Sequence, residues 1–153
     1  IALASKVAVM NQGEIMQVGT TYEVFHNPVN EFVARFTGVK NFFKATLLSP
    51  KLAQIDDNIS IFVNAKKDTG NVQLVIQSHN IIVSKHAIES SAVNNFKGII
   101  TRVISNPFVF ELQVSMGVLV AVQITEESKN KYEFIEGTKV WISFKASEVK
   151  IIY

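Results

Sequence analysis

The segment "VNNFKGIITRV" (residues 93–103) nearly repeats "VKNFFKATLL" (residues 39–48), and "SFKASEVKI" (residues 143–151) parallels "VIQSHNIIV" (residues 75–83). Related segments in the same order, the first pair spaced about fifty-four residues apart, mark a duplicated unit. Within each copy Thr, Val, Ile and Phe alternate with polar residues, the period of a half-buried strand. Turn signals punctuate the pattern at Ser49-Pro50, Asp56-Asp57-Asn58, Asp68-Thr69-Gly70, Asn106-Pro107 and Glu136-Gly137. Short strands between regular turns predict a mainly β fold built of two similar barrels, over residues 41–90 and 91–153. Asp56-Asp57-Asn58 reads as a turn, since its spacing does not fit a calcium loop.

Upstream of the repeat the pattern changes. "KVAVM" and "EIMQV" flank Asn11-Gln12-Gly13 and read as a hairpin. Thr20 or Thr21 caps a short helix with Glu23 in its first turn, and Pro28 ends it. Asn30 caps a second helix, with Phe32, Val33 and Phe36 on one face and Gly38 as its stop. A hairpin and two short helices cannot enclose a core, so residues 1–40 belong to something larger.

Composition narrows the function. With 153 residues, 48% of them hydrophobic, the chain can hold one or two small cores but no large catalytic domain. Fifteen Lys and Arg against thirteen acids leave a net charge of +2, without the dense basic stripe of a nucleic-acid binder. No cysteine is present, which excludes disulfides and thiolate metal sites, and His26, His79 and His86 lack ligand spacing. No apolar run approaches a membrane span and no leader pattern opens the chain, so any membrane link is expected to run through a partner.

Residues 3–42, "LASKVAVMNQGEIMQVGTTYEVFHNPVNEFVARFTGVKNF", resemble the tail of an ABC importer ATPase domain, with its L-A-D-R-V-A-V-M, G-x-I-x-Q-x-G-T and P-x-x-x-F-V-A-x-F-x-G runs. Ser5 and Lys6 stand where that family often has aspartate and arginine. In the family the phosphate loop, signature motif, magnesium carboxylates and switch histidine all lie upstream, and no G-x-x-x-x-G-K-[ST] occurs here. The resemblance therefore implies that this chain is not an enzyme by itself, and that ATP and magnesium belong to its parent. Residues 90–152 resemble the TOBE or molbindin-type module, whose pattern runs S-A-R-N-x-(F/L)-x-G, then L-x-A-x-(V/I)-T-x-x-S, then (F/I)-K-A-(S/T)-x-V. Taken together these resemblances suggest the C-terminal part of a molybdate/tungstate-type importer ATPase, with tandem five-stranded barrels of the oligonucleotide/oligosaccharide-binding shape that close their own edges and leave loops for a ligand.

Carried over residue by residue, the oxyanion donors implied are Ser91, Thr125, Ser128, Lys145, Ala146 and Ser147. A tetrahedral dianion such as molybdate suits that set: one or two cations, neutral O–H donors, and backbone N–H groups that small residues leave approachable. Val93 stands where the family pattern has arginine, and Gln77 occupies in the first unit the slot of Lys145. Bland readings stand beside these. Lys145 also fits a solvated strand end that discourages edge pairing, and Thr125 with Ser128 fits a helix cap carrying Glu126 or Glu127 in its first turn. Trp141, Phe144 and Phe134 read as core, and Phe108 and Phe110 as two rings on one face.

Four functions follow from the resemblance: a regulatory and assembly domain coupling oxyanion binding to inhibition of transport; a dimerisation platform without an anion; part of a working ATPase; and the equivalent domain of a sugar-type importer. The expected partners are a second copy, through exposed apolar faces and strand edges, and a membrane permease reached through the parent ATPase. Neither nucleic acid nor direct membrane insertion is expected, and the implied location is the cytoplasmic face of the membrane.

Overall fold

In the computed structural model, which describes residues 6–153, β1 (Val7–Asn11) and β2 (Glu14–Gly19) pair antiparallel around Gln12 and Gly13. Both turn residues take positive φ, 51° and 81°, the two-residue geometry whose twist matches a hairpin. Ser5 lies outside the described residues. Thr20 caps α1 (Thr21–His26): its hydroxyl accepts from the Glu23 N–H at 3.1 Å while the Glu23 carboxylate accepts from the Thr20 N–H, a closed capping box. Asn30 caps α2 (Glu31–Phe36) through the Val33 N–H, and Gly38 leaves the helix at φ 95°. The buried face of α2 is not the expected one. Phe36 is 67% exposed, stacked on a half-buried Phe32, because α2 is wedged between two small cores. Val33 joins Val9 and Val24 in one, and Ala34 joins Val39 and Val75 in the other.

The remaining chain runs β3 (Asn41–Ser49), β4 (Leu52–Asp56), β5 (Ile59–Phe62), β6 (Gly70–Ile76), a 3-10 turn at Ser78–Asn80 and β7 (Ile82–Ser84). The second copy follows as β8 (Asn94–Ser105), β9 (Phe110–Ser115), β10 (Leu119–Ile124), α3 (Glu126–Tyr132), β11 (Lys139–Phe144), a 3-10 turn at Ala146–Glu148 and β12 (Val149–Ile152). Two five-stranded antiparallel sheets result, ordered β12-β6-β3-β4-β5 and β10-β9-β8-β11-β7. The fold is mainly β and OB-like, but neither unit closes its edge with its own last strand. β7 pairs with β11 of the second unit, and β12 with β6 of the first. The 3-10 turns redirect the chain across the unit boundary, where each short strand gains a ladder partner and buries an apolar neighbour, Ile81 or Val149. One core consequently runs through both units, with Leu47, Ile61 and Leu74 packed in the same cluster as Ile100, Leu112 and Phe144. Asn41 faces Ile76 as Asn94 faces Phe144, so these asparagines are equivalent, one position off the alignment that matches Val39 to Val93.

The opening segment docks on the first sheet through polar contacts. Gln73 Nε2 donates to Glu31 Oε2 at 3.0 Å, Gln77 Nε2 donates to the Phe25 carbonyl at 3.2 Å, and the Arg35 guanidinium lies 4.1 Å from the Phe42 ring centroid. The Gln73 amide, and after it Arg35, hold the Glu31 carboxyl below its ordinary pKa. A depressed folded-state pKa contributes stability that is present above the unfolded value and is lost as pH falls through the folded one. Amide-exchange protection across α2 is therefore expected to drop below about pH 4, and Glu31→Gln to flatten that dependence. A protection profile unchanged between about pH 6 and pH 3 would show that this contact does not hold the segment in place.

Candidate functional site between the two units

Each copy begins its long strand on a buried asparagine. Asn41 Nδ2 donates to the Ala121 carbonyl at 2.8 Å while its Oδ1 accepts from the Ala121 N–H at 2.7 Å. Asn94 treats Phe62 the same way, at 3.0 and 2.8 Å. A carboxamide offers one donor and one acceptor at nearly peptide spacing, so each side chain substitutes for a strand against an edge of the other unit's sheet. Two pseudo-equivalent corners between the units are fixed in this way. Both asparagines stand in the repeated segment, but nothing local in the sequence marks them as cross-unit partners.

Lys145 follows Phe144, which pairs with Asn94, so it lies at the corner where Ser91 and Val93 lead into β8. It is exposed, enters the 3-10 turn through extended backbone (φ −79°, ψ 147°), and forms no ion pair among the described residues. Ser147 and Ser91 are exposed and Ala146 is half-buried, while Val93 leaves 52% of its surface in solvent. Thr125 and Ser128 form a separate pair. The Thr125 hydroxyl accepts from the Ser128 N–H and donates to Ser128 Oγ, both at 3.1 Å, capping α3. They follow β10, whose Ile124 pairs with Phe110 and through it with Ser105, at the far end of β8 from Asn94. β10 itself packs on the first unit's turn at Ser78–Asn80. Of the six residues, Ser91, Lys145, Ala146 and Ser147 thus gather at one corner, and Thr125 and Ser128 sit toward the other.

At the Lys145 corner a cleft of about 710 Å³ is lined by Ala146, Ser147 and Lys150 of the second unit, Asn64 and Lys66 of the first, and Asn27 of the opening segment. Tyr153 also lines it, and among the described residues neither a carboxylate side chain nor Lys145 belongs to the lining. At the other corner a cavity of about 150 Å³ contains Lys40, Asn41 and Glu111. There Lys40 Nζ is 2.6 Å from Glu111 Oε1, whose side chain is only 8% exposed. Lys40 precedes Asn41 as Val93 precedes Asn94, so each corner keeps one cation in its inner slots, Lys40 at one and Lys145 at the other. Among the described residues no cluster of His, Asp and Glu could hold a metal ion, and no helix is long and apolar enough to cross a membrane.

Comparison with known proteins matches residues 90–151 to the TOBE domain. The molybdate/tungstate import ATP-binding protein WtpC of Pyrococcus abyssi is 30% identical over 152 residues, which is 99% of this chain and 43% of that protein. The spermidine/putrescine import ATP-binding protein PotA of Treponema pallidum is 27% identical over 139 residues, 80% of this chain and 37% of its own length. The chain therefore spans less than half the length of these relatives. Among solved structures, the cytoplasmic molybdate-binding protein ModG with molybdate bound superposes with a TM-score of 0.61 over 74% of this chain and 96% of that one, at 16% identity. That likeness supports the OB-like fold.

Proposed function

We propose that the chain senses molybdate or tungstate as the regulatory and assembly region of an ABC importer, since residues 90–151 match the TOBE domain, a regulatory module, and the chain is homologous over 99% of its length to C-terminal parts of import ATP-binding proteins. The observation that carries this reading is the turn from Lys145 to Ser147: a lysine without an ion pair among the described residues, followed by two small residues that line a cleft between two units into which no carboxylate side chain of the described residues projects. Such a turn offers a dianion a charge, a hydroxyl and approachable backbone N–H groups. Ser128, which accepts the Thr125 hydroxyl proton and keeps its own to give, carries the complementary donor with Thr125 holding it in place, and across a homodimer the pair would complete the shell of a second copy's Lys145 corner.

In this reading residues 1–40 are the end of an ATPase domain, followed by one unit over 41–90 and a second over 91–153. ATP and magnesium bind the upstream part of the parent, which docks on a permease at the cytoplasmic face of the membrane. Oxyanion binding slows transport to the extent that it favours the locked arrangement over the transport-competent one, because equal affinity for both shifts nothing. A second reading, a dimerisation domain without an anion, of this or of a sugar-type importer, draws support from Val93, which leaves the family's arginine slot uncharged.

Isothermal titration calorimetry with molybdate and tungstate, sulfate as competitor and Lys145→Ala alongside, separates the two. The sensor reading expects binding that resists sulfate and weakens at least tenfold in the variant, the equivalent of about 1.4 kcal/mol. Absence of heat from every anion would leave the dimerisation domain.

A further inference from the structure

We infer that the charge missing at Val93 is made up at the unit boundary: the cleft between Ser147 and Lys66 holds one tetrahedral dianion per chain, with Lys66 and Lys150 adding their charges to that of Lys145 at the neighbouring turn. This rests on the oxyanion reading above and assigns it residues that the family pattern does not contain. A doubly charged anion leaving water needs more than one positive partner, and Lys145 does not line the cleft. Lys66 and Lys150 do, and among the described residues neither ammonium forms an ion pair. Asp68 is close in sequence but is not part of the lining.

The neutral groups around the cleft are oriented as donors. Lys51 Nζ donates to Asn64 Oδ1 at 3.0 Å, which commits the acceptor end of that amide and leaves its NH2 available. The Tyr153 hydroxyl accepts from the Lys66 N–H at 2.6 Å, so its own proton remains to be given. Ser147 adds a second hydroxyl. Asn27 comes from the turn between α1 and α2, and Gln17 fixes that turn from both sides: its amide NH2 donates to the Asn27 carbonyl at 3.1 Å and its Oε1 accepts from the Val29 N–H at 3.0 Å. An anion seated here would touch both units and the opening segment at once, a direct route from occupancy to the segment that leads toward the ATPase.

The opposite corner explains the count of one. Its cation, Lys40, is neutralised by Glu111, and the amide of Gln77, the counterpart of Lys145, is given to the Phe25 carbonyl. Both groups that could face an anion there are already committed.

The test is calorimetric titration of molybdate into the whole chain and its Lys66→Ala, Lys150→Ala, Lys145→Ala and Lys67→Ala variants, with amide exchange read at residues 27–29. Lys67 is the control, since its ammonium lies over the Tyr153 ring at 5.2 Å and it does not line the cleft. We expect a stoichiometry of about one, roughly tenfold weaker binding in each of Lys66→Ala and Lys150→Ala at unchanged melting temperature, the loss in Lys145→Ala given above, and little change in Lys67→Ala. Protection at residues 27–29 is expected to rise on binding. Wild-type affinity in the Lys66 and Lys150 variants, with binding lost in Lys145→Ala, would overturn this site while leaving the oxyanion reading intact. Two anions per chain would overturn it as well, and no heat in the wild type would remove both.

Discussion

Replacing both Asn41 and Asn94 by leucine is expected to lower the unfolding free energy by about 4 kcal/mol, with a large fall in the urea midpoint. Each asparagine satisfies one N–H and one C=O on the other unit's edge, and leucine keeps the branched outline while leaving both unpaired. A stranded backbone group costs about 1–3 kcal/mol when buried. Phe62 is 49% exposed, so its groups recover some hydration and about 2 kcal/mol per asparagine is the better figure. The two sites share no partner, so their effects should add. Against a domain stability of about 5–15 kcal/mol, the double variant loses a large share. Asn94→Asp keeps the acceptor but not the donor and should fall between wild type and Asn94→Leu. A double variant whose midpoint matches that of an exposed replacement such as Lys44→Ala would show that water serves these strand edges equally well.

The parts of the fold legible in the sequence are those whose physics is local. Gln12-Gly13 can turn a hairpin, Thr20 with Glu23 closes a capping box, and Thr125 caps α3, because each signal involves residues at most three apart. The exchange of β7 and β12 was not legible. Strands of three and four residues show the same alternation whichever sheet receives them, and their partners are chosen by the 3-10 turns that precede them and by burial far along the chain. Alternation also misled at "NPFVFEL". Phe108 is 92% exposed because the Asn106 N–H donates to the Val109 carbonyl at 3.0 Å, a tight bend that lifts the ring out of the strand. Phe110 stays half-buried beneath the Lys129 ammonium, 5.1 Å from its ring centroid. Phe134 and Phe144 are core as expected, whereas Trp141 is half-buried with Lys97 5.4 Å from its ring centroid. In the candidate site, the Lys-Ala-Ser turn was visible as a motif. Lys66, Lys150 and Asn27 were not, since nothing in their neighbourhoods marks them and folding alone brings three separate segments to one cleft.

Lys40→Met should destabilise the chain by about 2–3 kcal/mol, and adding Glu111→Leu should restore most of the loss. The pair is lopsided: the Lys40 side chain is 52% exposed and that of Glu111 8%. Glu111 lies in β9 between β8 and β10, opposite Ile104 and Gln123, where water reaches its carboxylate poorly. Without the lysine, a charge is left in a site that cannot hydrate it, and the lower end of the usual penalty for breaking a buried pair applies because one partner is half in solvent. The reverse change strands much less, since a half-exposed ammonium rehydrates readily. Glu111→Leu alone is therefore expected to cost under about 1 kcal/mol, the range of an exposed ion pair. Urea unfolding of the two singles and the double closes the cycle. Equal losses in the singles would mean that Lys40 is as desolvated as Glu111. Failure of the double to recover would mean that the pair is needed to hold the two units in register, and the corner it occupies would then be a latch in its own right.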